Sequence, residues 1–284
     1  MSKVAIVTDS TSYIPRELRE KYPITVVPQV VIWESVSYED DITITPEQFY
    51  SRLKTAKVMP TTSQVSVVNM HKAFSNCLEQ GYEVLGIFVS SKLSGTYQSA
   101  LLGKDQLDSG KEKVEILDSE TTAMAMGFQV LAVARAALDG ASIVDCKALA
   151  EKSRAYTGVY LTVDTLEFLH RQGRIGGAQR FLGTALNLKP ILTVEGGRVE
   201  PVERVRTRGK ALERVVEIIA EKCAGKSPVR VATLHANAQG DAKIMLDKIT
   251  PLINPAESIF TEVSPAVGAN TGPGTVGLAF MAGM

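Results

Sequence analysis

Over its first 156 residues the chain alternates short apolar runs with longer helical stretches, and no other feature restricts the possible folds so strongly. Residues 4–7 (VAIV) form a strand-like run that ends in the polar Thr8-Asp9-Ser10-Thr11-Ser12. Residues 24–33 make a longer extended run rich in Val and Ile, and residues 84–89 and 115–118 read as further strands. Pro46 opens a helix over 47–55, since proline suits the first helical turn. A second helix covers about 65–80 and stops at Gly81, a third runs from Thr96 to about 107, and two more cover 124–138 and 143–155. Strands separated by helices imply parallel βαβ units, and so a three-layer domain built on a parallel sheet.

The chain beyond residue 156 reads differently. Residues 158–163 form a strand and 166–170 a short helix, while 189–206 look like two strands joined by Glu195-Gly196-Gly197, which is hairpin chemistry. Helices follow near 211–223 and 241–249, with strands at 229–234 and 258–263. A hairpin combined with crossovers implies a mixed sheet. The expected organisation is therefore α/β in two domains, 1–156 with a parallel sheet and 157–284 with a mixed one.

Charge excludes some partners. Lys plus Arg and Asp plus Glu are both 31, so the formal net charge is zero. Nonspecific nucleic-acid binding and attachment to anionic membranes both need a basic excess. The apolar run at 4–7 is too short for a secretory core, and no stretch is long enough to cross a bilayer. Cys77, Cys146 and Cys223 lie far apart, as do His71, His170 and His235. Such spacing reads as buried thiols in a reducing compartment rather than disulfides or a metal site. The expected setting is the cytoplasm, with no metal and no cofactor.

Two hydroxyl-rich segments share one physical design. Thr61-Thr62-Ser63 and Ser94-Gly95-Thr96 each stand at an expected helix start, where free backbone N–H groups, the positive end of the helix dipole and hydroxyl donors can meet an anion. Gly95 removes a side chain and lets a ligand approach the backbone. The second segment follows a buried strand, at the sheet edge where α/β folds place ligands. Ser and Thr are also ordinary helix caps, and pattern alone leaves both roles open. Gly268-Ala269-Asn270-Thr271-Gly272-Pro273-Gly274 is permissive backbone that suits either a ligand loop or a tight bend, and it lacks the Gly-Lys-Ser/Thr ending of a P-loop. Arg171, Arg174 and Arg180, with Arg204, Arg206 and Arg208, suit either a positive patch or solvated faces. Asp9, Asp118 and Asp164 end or follow strands, but no His or Cys shares a motif with them and no nucleophile elbow occurs.

The motifs in order are Thr8-Asp9-Ser10, Pro60-Thr61-Thr62-Ser63-Gln64, Ser90-Ser91-Lys92-Leu93-Ser94-Gly95-Thr96-Tyr97-Gln98-Ser99-Ala100, Asp164-Thr165-Leu166, Gly173-Arg174-Ile175, Leu188-Lys189-Pro190-Ile191-Leu192 and Thr271-Gly272-Pro273-Gly274. Together they resemble the DegV family, over nearly the whole chain. That resemblance implies two α/β domains with a long-chain fatty acid between them. It further implies a lipid-binding carrier, not itself an enzyme, that presents the carboxylate to a separate ATP-binding kinase subunit for acyl-phosphate formation in phospholipid metabolism. In the family pattern Thr62 and Ser94 hydrogen-bond the carboxylate, with Ser63, Gly95, Thr96 and Asn270 around it, and Arg174 and Arg206 serve the kinase partner or the phosphoryl group. The family often carries histidine at the position of Asn270, and proline at that of Val65. Met124 and Met126 are candidates for lining the acyl tunnel, since thioethers adapt to irregular apolar shapes. The rival reading is an autonomous phosphotransferase or hydrolase on the same fold, which needs a nucleotide, metal or nucleophile site.

Overall fold

A computed structural model describes residues 3–183 and 188–284. The first half holds strands β1 (Val4–Asp9), β2 (Ile24–Val27), β3 (Val30–Trp33), β4 (Val36–Glu39), β5 (Thr61–Ser63), β6 (Glu83–Phe88) and β7 (Val114–Asp118). Its helices are α1 (Arg16–Lys21), α2 (Pro46–Leu53), α3 (Val67–Glu79), α4 (Thr96–Asp105), α5 (Ala123–Leu138) and α6 (Ile143–Ser153). Four strands form a parallel sheet in the order β2-β1-β6-β7. Side chains alternate across a strand, and the two faces here meet different cores. Ala5, Val7, Val84 and Phe88 pack with Met70 and Phe74 of α3. Ile6, Leu85 and Ile87 pack with Met124, Phe128 and Leu131 of α5. Both faces are thus covered, as a parallel sheet requires.

The second half comprises strands β8 (Thr157–Thr162), β9 (Lys189–Glu195), β10 (Arg198–Val205), β11 (Val229–His235), β12 (Glu257–Ile259) and β13 (Val276–Ala282). With them come helices α7 (Glu167–Arg171), α8 (Arg208–Cys223), α9 (Gln239–Ile253) and α10 (Pro265–Thr271). The strands form one mixed sheet in the order β10-β9-β8-β13-β11-β12. One face, through Val231, Leu278 and Phe280, packs on α8 and α9. The other, through Ala232, Leu234 and Ala279, joins the core that α5 shares with the parallel sheet. Helix α5 therefore lies between the two sheets, which explains why nearly every side chain from Ala123 to Leu131 is fully buried.

The extended run at 24–33 is two strands, not one. Pro28 cannot donate to a ladder, so β2 ends at Val27, and β3 joins a separate antiparallel sheet in the order β4-β3-β5. Val36–Glu39 carries no clear strand signal, since its pattern is exposed on both faces. Thr61–Ser63 is also a strand, paired through Val31 and Thr62, rather than a helix start. Helix α3 begins only after Ser66, whose hydroxyl accepts from Asn69 N at 3.1 Å. In the glycine-rich segment, residues 268–271 are the last turn of α10, and the bend is confined to Gly272-Pro273-Gly274. Position 268 within this helix needs glycine, because an added Cβ would lie 2.3 Å from the Tyr50 hydroxyl. The strand expected at 258–263 is confined to Glu257–Ile259.

Candidate functional site

A cavity of about 1160 Å³, its open mouth included, lies between the two large sheets. Val159 and Leu161 of β8, Leu192 and Val194 of β9, Val199 of β10 and Leu234 of β11 form its apolar floor. Ala266, Val267 and Asn270 of α10 form another wall, and Thr122 and Ala123 enter from the start of α5. Polar groups line it too, among them Thr62, Ser63, Gln64, Ser94 and Arg174, with the bare backbone of Gly95. The lining thus combines an apolar surface with hydroxyls and one guanidinium, a form suited to an amphipathic ligand.

Local folding sets each polar group. Gly95 caps α4, and Ser94 Oγ accepts from Thr96 N at 3.3 Å. Any Cβ on Gly95 would lie 2.2 Å from Gln64 Oε1, so glycine is what lets the Gln64 segment close over this turn. Thr62 is held by β5 against β3, and Asn270 Nδ2 donates to Thr62 Oγ1 at 3.5 Å and to Ala266 O at 2.8 Å. Arg174 follows a Schellman turn at the end of α7. Gly173 adopts φ +70°, Arg174 N donates to Leu169 O at 2.9 Å, and Gly173 N to His170 O at 3.1 Å. The guanidinium donates to Leu93 O at 3.3 Å and to Gln172 O, and it makes no ion pair among the described residues. Gln172 Nε2 in turn donates to Pro60 O at 2.9 Å, which ties α7 to the strand carrying Thr62.

Of the residues singled out in sequence, Thr62, Ser63, Ser94, Gly95, Asn270 and Arg174 come together around the cavity. The hydroxyls of Thr62 and Ser63 arrive from a strand edge rather than a helix N-terminus. Thr96 is fully buried behind Ser94 and does not line the cavity. Met124 and Met126 are fully buried in the shared core and do not line it either; the contribution of α5 is Thr122 and Ala123. Arg206 is exposed beyond the end of β10, away from the lining. Among the neighbouring arginines, Arg208 pairs with Asp241 at 2.8 Å and Asp164 at 3.5 Å, and Arg204 lies over the Phe181 ring.

Buried carboxylates support the polar lining from behind. Burial pushes the Asp9 carboxyl up, against hydrogen bonds from Val89 N at 2.8 Å and from Thr11. Burial likewise pushes the Asp40 carboxyl up to about 6, although Ser10 Oγ donates to it at 2.6 Å and Ala266 N at 2.9 Å. Asp40 thereby links the end of β1 to the first turn of α10. Across the cavity the hairpin between β9 and β10 is hooked to the Ser90–Ser94 turn. Ser90 Oγ donates to Gly197 O at 2.8 Å and Lys92 Nζ to Gly196 O at 2.7 Å. Sequence reasoning passed over Gln29 and Asp40, which lie in no motif; the Pro28 break beside Gln29 was the available signal.

Among the described residues no group of three or more His, Cys, Asp or Glu could hold a metal ion, and no helix is long and apolar enough to cross a membrane. Comparison with known proteins agrees with the motifs. The family model described as "Uncharacterised protein, DegV family" matches residues 3–283. A DegV domain-containing protein of Streptomyces coelicolor is 36% identical over 277 residues, 97% of each chain. A solved DegV family protein from Thermus thermophilus, described by its fatty acid binding, superposes with a TM-score of 0.93 at 33% identity and covers 99% of both chains. DegV of Bacillus subtilis, described as a fatty acid binding protein, gives 0.90 at 31% identity, over 99% of this chain and 100% of that one.

Proposed function

The chain belongs to the DegV family, and from that premise we propose that it binds a long-chain fatty acid in the cavity between its sheets and presents the carboxylate to a separate ATP-dependent kinase subunit. The observation that carries the first part is the polarity of the cavity, apolar along β8 to β11 and hydroxyl-lined at Thr62 and Ser94. An acyl chain gains about 0.8 kcal/mol per buried CH₂, so a long chain offsets the cost of association. The hydroxyls supply neutral donors to a monoanion, and Arg174 adds positive charge beside them. The fatty acid binding described for the Thermus thermophilus and Bacillus subtilis proteins supports the same ligand class.

The second part is argued from the Arg174 guanidinium, which makes no ion pair among the described residues. A carboxylate already met by hydroxyls does not need it, whereas a transferring phosphoryl group needs added positive charge. Arg206, exposed beyond the end of β10, is proposed to serve the partner in the same reaction. Mass spectrometry of protein purified without added lipid tests the ligand, and a co-purifying fatty acid is the expected result. An empty protein with no affinity for added fatty acid overturns the reading. With the kinase subunit and ATP present, Arg174→Ala plus Arg206→Ala is expected to abolish acyl-phosphate formation while fatty-acid binding survives. Undiminished turnover in that double variant overturns the assignment of both arginines.

A further inference from the structure

Gln29 lies between β2 and β3, only 4% exposed, with its side chain reaching the cavity wall. Its Nε2 donates to Thr96 Oγ1 at 2.9 Å, and Val65 N donates to the same oxygen at 3.3 Å. A hydroxyl oxygen accepts two hydrogen bonds and donates one. With both acceptor positions filled, Thr96 has only its proton left to offer. Ser94 Oγ stands 2.9 Å away and Gln29 Oε1 3.2 Å, so the nearer partner is Ser94. Ser94 Oγ also accepts from Thr96 N at 3.3 Å. Its acceptor capacity is then used as well, and its own proton remains for the cavity.

The backbone at Gln29 is anchored from behind. Gln29 N donates to Ser10 Oγ at 3.1 Å, and Ser10 Oγ donates to Asp40 at 2.6 Å. Burial pushes the Asp9 carboxyl up, and the Gln29 side chain is the smallest of the hydrogen-bond donors that oppose it, with its N–H end toward that carboxyl. Turned the other way, the amide would set a carbonyl oxygen against a carboxylate.

We infer that Gln29 is a positioning residue that makes Ser94 a one-way hydrogen-bond donor, so that the site selects a head group with acceptors and no proton of its own, such as a carboxylate. The inference rests on the fatty-acid reading and adds the element that sets head-group selectivity. Gln29→Glu replaces the donor with an acceptor, which frees one acceptor position on Thr96 and takes the Thr96 proton. Ser94 can then turn its proton inward and accept from a ligand hydroxyl. Gln29→Met removes both ends of the amide at nearly constant volume, so Ser94 stays the acceptor for the Thr96 proton and the direction is kept.

The experiment measures the affinity of a 16-carbon fatty acid and of the 16-carbon alcohol, by displacement of a fluorescent fatty acid, in the unmodified protein and both variants. The unmodified protein is expected to prefer the acid strongly. Gln29→Glu is expected to lower the acid-to-alcohol ratio by about tenfold or more, the scale of one hydrogen bond to a charged group, and Gln29→Met to leave it near the unmodified value. A structural role alone would weaken both ligands together and leave the ratio unchanged in Gln29→Glu too, and that result overturns the inference. Equal affinity for acid and alcohol in the unmodified protein overturns it without any variant. Failure of the unmodified protein to bind either ligand overturns the fatty-acid reading, and this inference with it.

Discussion

At the scale of single residues, the carboxylate contacts are the most direct test. Ser94→Ala and Thr62→Ala each remove one hydroxyl from the cavity lining and leave the backbone of α4 and β5 in place. Each is expected to weaken fatty-acid binding by about 1–3 kcal/mol, measured by titration. Full affinity in both variants would return these hydroxyls to a purely structural role. Asp40 gives a different signature. Its folded carboxyl titrates at about 6, above the ordinary value of 3.8, because burial disfavours the charged form. Between those two values the folded protein holds a proton that the unfolded chain has released, so stability falls as pH rises through that window. Above pH 6 the ionised, buried Asp40 costs up to about 3 kcal/mol. Asp40→Asn is expected to flatten the dependence of chemical-denaturation stability on pH between about 4 and 6. An unaltered slope would show that other groups cause it. Ser94, Thr62 and Arg174 were legible in sequence because each sits in a motif of contrasting residue types. Gln29 and Asp40 were not, because their importance comes from neighbours at residues 96, 65, 10 and 266, which only the fold brings close.

At the scale of elements, sequence periodicity located most strands and helices and misplaced those whose state depends on pairing. Thr61–Ser63 could cap a helix or extend a sheet, and its partner β3 decided the matter; that partner was hidden inside one apolar run until Pro28 divided it. The turn between β9 and β10 was readable from Glu195-Gly196-Gly197, but what it touches was not. Gly197 adopts φ +80°, and an added Cβ would lie 2.4 Å from Ser90 Oγ. Gly197→Ala combines left-handed strain with displacement of Ser90. It is expected to cost about 1–3 kcal/mol of stability and to weaken ligand binding, because the Ser90–Ser94 turn carries Ser94. Thermal melts and titration of the same variant check both. A loss of stability with unchanged binding would show that the hook does not position the site.

At the scale of the whole molecule, the two large sheets share α5, and one continuous core runs from Ile6 and Leu85 through Met124 and Phe128 to Leu234 and Ala279. A helix with this much surface buried on both sides cannot leave one sheet without exposing the other. The halves are therefore expected to unfold together, as one calorimetric transition whose midpoint rises with fatty-acid concentration. Two separated transitions, only one of them sensitive to ligand, would show that the halves are energetically independent. Two halves were readable from the switch between crossover and hairpin signals. Their shared helix was not, because the continuous burial of α5 looks in sequence like any apolar helix.

The hook between the hairpin and the Ser90–Ser94 turn bears on time as well as on the placing of Ser94. Both of its bonds end on backbone carbonyls of Gly196 and Gly197, and neither involves the ligand. Parting the hairpin from the turn breaks both, whether the cavity is full or empty; for a ligand that passes there, the same barrier slows entry and exit and cancels from the equilibrium constant. A fatty acid bound as proposed would then leave on the schedule of hairpin opening.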